Sequence, residues 1–232
     1  MFNGKMKAVT FSFDDGVTQD KRLIEIFDKY GLKCTFNINS ECLGKPGLLT
    51  CSNVTVAHVK PRPDEIAKIY KNHEVAVHTL THPNLTTLDE EEIIRQVECD
   101  RKNLSELVGY EVVGMAYPCG GVNNDDRVAE IIKNNTGVKY SRTITCNHSF
   151  DLQDNLYRFN PTAYIMKPGK MQELAEEFVS MKADKPQILY IWGHAYEFDI
   201  ENTWDKFEEF CKFISGRDDI FYGTNTEVLL AE

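Results

Sequence analysis

Four places in this sequence combine residue types that can do hydrolytic chemistry. Asp14 and Asp15 stand side by side before Gly16, and His78 and His82 lie four residues apart; Tyr117-Pro118-Cys119-Gly120 joins a thiol to turn formers, and His194 follows Gly193. Each has an ordinary reading when taken alone. Asp-Asp-Gly makes a turn, because Asp bonds its own backbone and Gly accepts positive φ. A single His-x-x-x-His is more often not a metal site, and a lone histidine is as often a satisfied core residue. Together the clusters describe one site. Two imidazoles and the Asp15 carboxylate make a donor set for one divalent ion, zinc first, with cobalt, nickel, iron or manganese as alternatives, and they leave a position open for water. A cation held by Asp15 leaves Asp14 free to accept a proton, and His194 can donate one from the opposite side. That completes the machinery of amide or ester hydrolysis.

A parallel sheet would bring these residues to one edge. Residues 7–13 are apolar or β-prone at nearly every position, as a strand covered on both faces must be, and they stop at the paired acids. Further strands are expected over 34–38, 74–78, 112–117, 138–142, 188–192 and 220–222. Helical spacing falls between them, over about 20–30, 64–69, 89–108, 125–133, 171–181 and 204–214, with Gly31 and Gly109 as stops and Asp89 as a cap. The third, fourth and sixth strands end in His78, Tyr117 and His194. The carboxyl end of parallel strands is where ligands bind in α/β folds. Alternation by itself admits a closed barrel or an open doubly wound sheet. Neither a dinucleotide fingerprint nor a phosphate loop follows any strand. Residues 40–62, with Gly44, Pro46, Gly47 and Pro61, show no periodicity and read as an irregular surface excursion.

Composition narrows the partners. The 232 residues carry 26 basic against 36 acidic side chains, a net charge of −10, without a basic run to follow phosphates, so nucleic acid is not expected. No apolar window approaches the ~20 residues of a membrane span, and residues 1–7 lead into no apolar leader segment. Seven scattered cysteines without a CxxC pair suit a reducing compartment. The expectation is a cytoplasmic protein without a membrane partner.

The three spaced motifs resemble those of the polysaccharide deacetylases with a NodB homology domain, the carbohydrate esterase family 4 type. Thr10-Phe11-Ser12-Phe13-Asp14-Asp15-Gly16 resembles the first motif, His78-Thr79-Leu80-Thr81-His82 the second, and Leu189-Tyr190-Ile191-Trp192-Gly193-His194 the last. The resemblance implies a single domain over 1–232, a distorted (β/α)7 barrel. It implies metal ligands Asp15, His78 and His82, base Asp14 and acid His194. The third motif departs from the pattern. Ala116 stands where the family has an arginine that orients the base. Cys119, after Tyr117 and Pro118, stands where it has a tyrosine whose backbone N–H helps hold the oxyanion. Arg142 and Arg158 are the candidates to supply the missing cation. The fourth motif, an Asp and a Trp, has no clear counterpart between 155 and 167. Tyr196, Glu197 and Asp199 read as an ordinary loop, the alternative being that with 40–62 they close the groove around a smaller substrate. Trp192 and Trp204 read as core.

Removal of an acetyl or similar acyl group from an N- or O-acylated sugar or glycan fragment is therefore the leading expectation. Two alternatives remain open: a metal-independent amidohydrolase acting on a small cyclic ureide or imide, and a non-catalytic carbohydrate-binding barrel.

Overall fold

The computed structural model describes residues 1–231, and its centre is the strand that ends in the paired acids. This strand, β1 (Lys7–Asp14), is buried at every position. Its period-two alternation sorts the side chains into two environments. Val9, Phe11 and Phe13 join the main core, where Phe11 meets Phe27 at 4.8 Å and Phe13 meets Phe207 at 6.1 Å between ring centroids. The alternate residues face polar partners: Thr10 donates to Asn225, Ser12 accepts from Asn37, and Asp14 is last in the series. Each large apolar side chain so buried contributes roughly 1.5–3 kcal/mol.

The order along the chain is β1, α1 (Asp20–Tyr30), β2 (Cys34–Ile38), β3 (Leu48–Cys51), β4 (Val54–Ala57), α2 (Ile66–Ile69), β5 (Glu74–Val77), α3 (Glu90–Ile94), α4 (Asp100–Val108), β6 (Gly114–Ala116), α5 (Asp126–Asn135) and β7 (Tyr140–Arg142). It continues with β8 (Ala163–Tyr164), α6 (Pro168–Ser180), β9 (Gln187–Gly193), α7 (Glu197–Glu201), α8 (Trp204–Ile214), β10 (Ile220–Tyr222) and α9 (Asn225–Leu229). The parallel sheet runs β7-β6-β5-β2-β1-β9-β8, with β10 paired to the start of β1. One short stretch bridges its two edges. Phe159 bonds to β7, and Thr162 to Tyr164 bond to β9, so the sheet curls into the distorted barrel expected.

Most expected elements are present within a residue or two of their bounds, and Gly31 and Gly109 end their helices at φ 65° and 78°. The long helix after Asp89 is interrupted by a π-helical turn over Arg95–Cys99, which separates α3 from α4. One expectation is corrected. Residues 40–62 are not irregular: they hold the antiparallel hairpin β3–β4, turned at Ser52 (φ 48°) and Asn53 (φ 69°). Both strands are four residues long and mostly exposed, so the alternation of Val54-Thr55-Val56 is too brief to stand out from a loop. No helix among the described residues is long and apolar enough to cross a membrane.

Candidate metal and catalytic site

Asp14 and Asp15 divide because the strand ends between them. Asp14 keeps strand geometry and its carboxylate stays inside the barrel, 2% exposed. Asp15 turns into the left-handed region at φ 80° and presents its carboxylate at the mouth. Both oxygens of Asp14 accept from the Arg142 guanidinium at 2.5 Å, and Oδ1 also accepts from Asn37 Nδ2 at 2.8 Å. Arg142 is the largest fully buried side chain, and its Cζ lies 4.6 Å from the centroid of Trp192. Sheet register explains how it reaches Asp14. Ala116 on β6 pairs directly with Arg142 on β7, and the small side chain leaves the interior open to the neighbouring arginine. Burial pushes the Asp14 carboxyl up, but Arg142, His78 and His194 outweigh it and hold the group below its usual range.

The second cluster is a loop whose amides are held from several directions. His78 N–H donates to Asp100 Oδ2 (3.1 Å), Leu80 N–H to Gln96 O (3.0 Å), Thr81 N–H to Gln96 Oε1 (3.1 Å) and His82 N–H to Thr79 Oγ1 (3.1 Å). Asn39 Nδ2 donates to the His78 and Thr79 carbonyls. These bonds sustain positive φ at Thr79 (69°) and His82 (66°), where β-branched and bulky residues are rarely found. The result brings His78 Nε2 to 4.0 Å and His82 Nε2 to 3.6 Å from Asp15 Oδ1.

This donor set fits a divalent ion. One ligand atom from each of Asp15, His78 and His82 lies within 4.8 Å of the others. His78 Nδ1 is 2.9 Å from Ala116 O and donates to it, which leaves the Nε2 lone pair for a metal. Burial pushes His78 down to about 4 and lowers His82, and both shifts favour the neutral imidazole that a metal ligand must be. Burial raises the Asp15 carboxyl, but His58, Lys60 and the nearby histidines hold it well below its usual range.

His194 faces the acids from β9, its Nε2 4.0 Å from Asp14 Oδ2. Its Nδ1 is 3.2 Å from Glu197 Oε1, an ion pair rather than an aligned hydrogen bond, while the other Glu197 oxygen accepts from the His194 backbone N–H at 3.0 Å. Burial disfavours the imidazolium, yet Glu197 with Asp14 and Asp15 overrides it and pushes the group up to about 9. Asp14 and His194 are thus held in opposite protonation states at neutral pH, a base and an acid a few ångströms apart. Cys119 adopts φ 69°, and Asn123 Nδ2 donates to the carbonyls of Tyr117, Pro118 and Cys119, which turns them away from the site. The Cys119 N–H points at His82 Nε2 from 3.5 Å. Asp14, Asp15, His78, His82, Tyr117, Cys119 and His194, with Tyr164, Trp192 and Tyr196, line a cavity of ≈ 320 Å³.

The structure therefore brings Asp14, Asp15, His78, His82, Tyr117, Cys119, Arg142 and His194 together, with Pro118 between two residues of the wall. It places Arg158 elsewhere. That side chain donates to Asn124 Oδ1 and Asp126 Oδ1, because it lies on a 3-10 turn facing α5. Glu197, read from sequence as part of an ordinary loop, is 7% exposed and belongs to the site. Trp192 is buried as expected but also forms part of the cavity wall. His58 and Lys60 were not anticipated: His58 Nε2 lies 3.4 Å from Asp15 Oδ2, and Lys60 Nζ donates to the Asp15 carbonyl. Their spacing of two in an extended tract was the signal available.

A family model described as "Polysaccharide deacetylase" matches residues 3–140, well over half of the chain, and the chain belongs to that family. Over 122 residues it is 28% identical to chitin deacetylase 1 of Cryptococcus neoformans var. grubii, covering 52% of this chain and 22% of that protein. Over 129 residues it is 26% identical to the peptidoglycan-N-acetylglucosamine deacetylase PgdA of Listeria monocytogenes, covering 54% of this chain and 24% of that one. The aligned part is about a quarter of the length of these curated relatives. Among solved structures, the Xyl-CE4 domain of a multidomain xylanase from the hindgut metagenome of Trinervitermes trinervoides shares the fold. Its TM-score is 0.59 at 16% identity, over 97% of this chain and 90% of that one.

Proposed function

We propose that this chain is a divalent-metal-dependent deacetylase that removes an acetyl or similar acyl group from an N- or O-acylated sugar or glycan fragment. The observation that carries the reading is the placement of the Asp14 carboxylate and the His194 imidazole 4.0 Å apart, on one cavity wall with the Asp15, His78 and His82 donor set. We read residues 1–232 as a single NodB-like domain, with zinc the first candidate ion.

Asp15, His78 and His82 would hold the ion, which when bound polarises an acyl carbonyl and brings the pKa of a water towards neutrality. Asp14 accepts the proton of the attacking water, and Arg142 with Asn37 fixes both of its oxygens for that purpose. The Cys119 N–H donates to the oxyanion that develops as the carbonyl is attacked, a backbone role that survives the change of side chain. His194 then passes its Nε2 proton to the leaving nitrogen or oxygen, and the Glu197 carboxylate beside Nδ1 favours the charged imidazole until then. Arg142 takes the part of the arginine that Ala116 replaces.

The test is acetate release from N-acetylated chito-oligosaccharides, N-acetylglucosamine and O-acetylated xylan by metal-loaded protein, with Asp14→Asn and His194→Ala as controls. The expected result is release that both variants lower about 10²-fold or more. Ring opening of allantoin or a hydantoin, with every acylated sugar left intact, would assign the amidohydrolase alternative instead.

A further inference from the structure

The β3–β4 hairpin reaches back to the site through two side chains. Its outer part projects from the barrel, with Leu48 77% and Val54 39% exposed. Its stem is paired by Gly44 N–H to Pro61 O (2.8 Å), Lys60 N–H to Lys45 O (3.0 Å) and His58 N–H to Gly47 O (2.9 Å). In that extended stem His58 and Lys60 share one face, and the face is turned to Asp15.

The two oxygens of Asp15 are thereby given different surroundings. Oδ1 faces His82 Nε2 at 3.6 Å, Lys60 Nζ at 3.7 Å and His78 Nε2 at 4.0 Å. Oδ2 faces His58 Nε2 at 3.4 Å. Lys60 Nζ also donates to the Asp15 carbonyl, which holds the backbone at its left-handed φ. The His58 ring stands edge-on to Tyr196, with centroids 5.1 Å apart. Gln19 Nε2 donates both to Ala57 O (2.7 Å) and to Asp199 Oδ2 (3.0 Å), tying the hairpin to α7.

We propose that the β3–β4 hairpin is a clasp for the metal carboxylate: His58 donates to Asp15 Oδ2, so that Oδ1 is presented to the ion shared with His78 and His82. His58 is a positioning residue, acting through Asp15, and the proposal rests on the metal reading of the site given above. Hydrogen-bond partners of ligating groups are worth about 10–100-fold in metal affinity, because they fix the ligand in its binding orientation beforehand.

The experiment is a zinc titration against a chromophoric chelator, with wild-type protein and the variants His58→Leu, His58→Ala and His58→Gln, each first checked for an unchanged zinc-free thermal transition. His58 is 25% exposed on a hairpin outside the main core, so at least one disruptive variant should fold. The expected result is zinc affinity about 10–100-fold weaker in His58→Leu and His58→Ala, and largely recovered in His58→Gln, whose amide N–H can replace the imidazole donor. Wild-type affinity in the folded disruptive variants would overturn the clasp alone. Failure of His58→Gln to recover would also overturn it, by showing that the loss comes from bulk rather than from the donated hydrogen bond. Absence of zinc binding by the wild-type protein would overturn the metal reading, and the clasp with it.

Discussion

Replacing Arg142 with alanine tests how this chain holds its base without the arginine of the third motif. The guanidinium is 0% and Asp14 2% exposed, and they meet at 2.5 Å, so neither charge has water to fall back on. Removing one member of such a pair leaves the other buried and uncompensated, a loss of about 3–5 kcal/mol. Burial would then lose its largest opponent, so the Asp14 carboxyl would rise from its depressed position. Each unit of that rise is worth about 1.4 kcal/mol. Two readouts follow: urea melts should show the stability loss, and the acidic limb of kcat/KM should move to higher pH. The register of Ala116 opposite Arg142 supplies a sharper arm. Ala116→Arg alone crowds a second cation into the interior and should destabilise, whereas Ala116→Arg with Arg142→Ala should regain part of both losses. The reasoning would be refuted if Arg142→Ala lost less than about 1 kcal/mol, the worth of an exposed pair, and kept its pH profile.

Other consequences are as direct. Glu197→Gln removes the carboxylate that raises His194, so burial should push the imidazole down and the alkaline limb of kcat/KM should move to lower pH. The sign follows because the acid must be protonated to work, and the group that keeps it so has gone. Asp14→Asn should lower turnover about 10²–10⁴-fold while zinc affinity stays close to wild type, as measured by steady-state kinetics beside metal titration. Gln96→Leu removes the acceptor of the Thr81 N–H, and the loss of that bond, about 0.5–1.5 kcal/mol, should speed hydrogen exchange at Thr81 about two- to tenfold.

What could be read from the sequence was local chemistry at the ends of buried strands. Asp14, Asp15, His78 and His194 each follow an apolar run, and burial on both faces is what makes such runs visible. Whatever depends on chain-distant partners was only partly visible. Arg142 could be named a candidate because it ends a strand, but the choice between it and Arg158 depended on the Ala116 register and on which face of the sheet each side chain occupies. Glu197 sits in a five-residue helix too short to show a period. His58 and Lys60 follow a hairpin whose strands are four residues long and mostly exposed, so the side they turn to Asp15 could not be separated from an ordinary loop. The π turn at Arg95–Cys99 also left no mark in a pattern that reads as one continuous helix, although it sets the Gln96 carbonyl against Leu80.

The most direct test of the central claim is acetate release from an N-acetylated chito-oligosaccharide by protein stripped with chelator and then reloaded stepwise with zinc. The account predicts no release from stripped protein, a linear return of activity that levels at about one equivalent of zinc, and no return in the His78→Ala, His82→Ala double variant. Full turnover by stripped protein, or stoichiometric zinc binding without acetate from any acylated sugar, would contradict it.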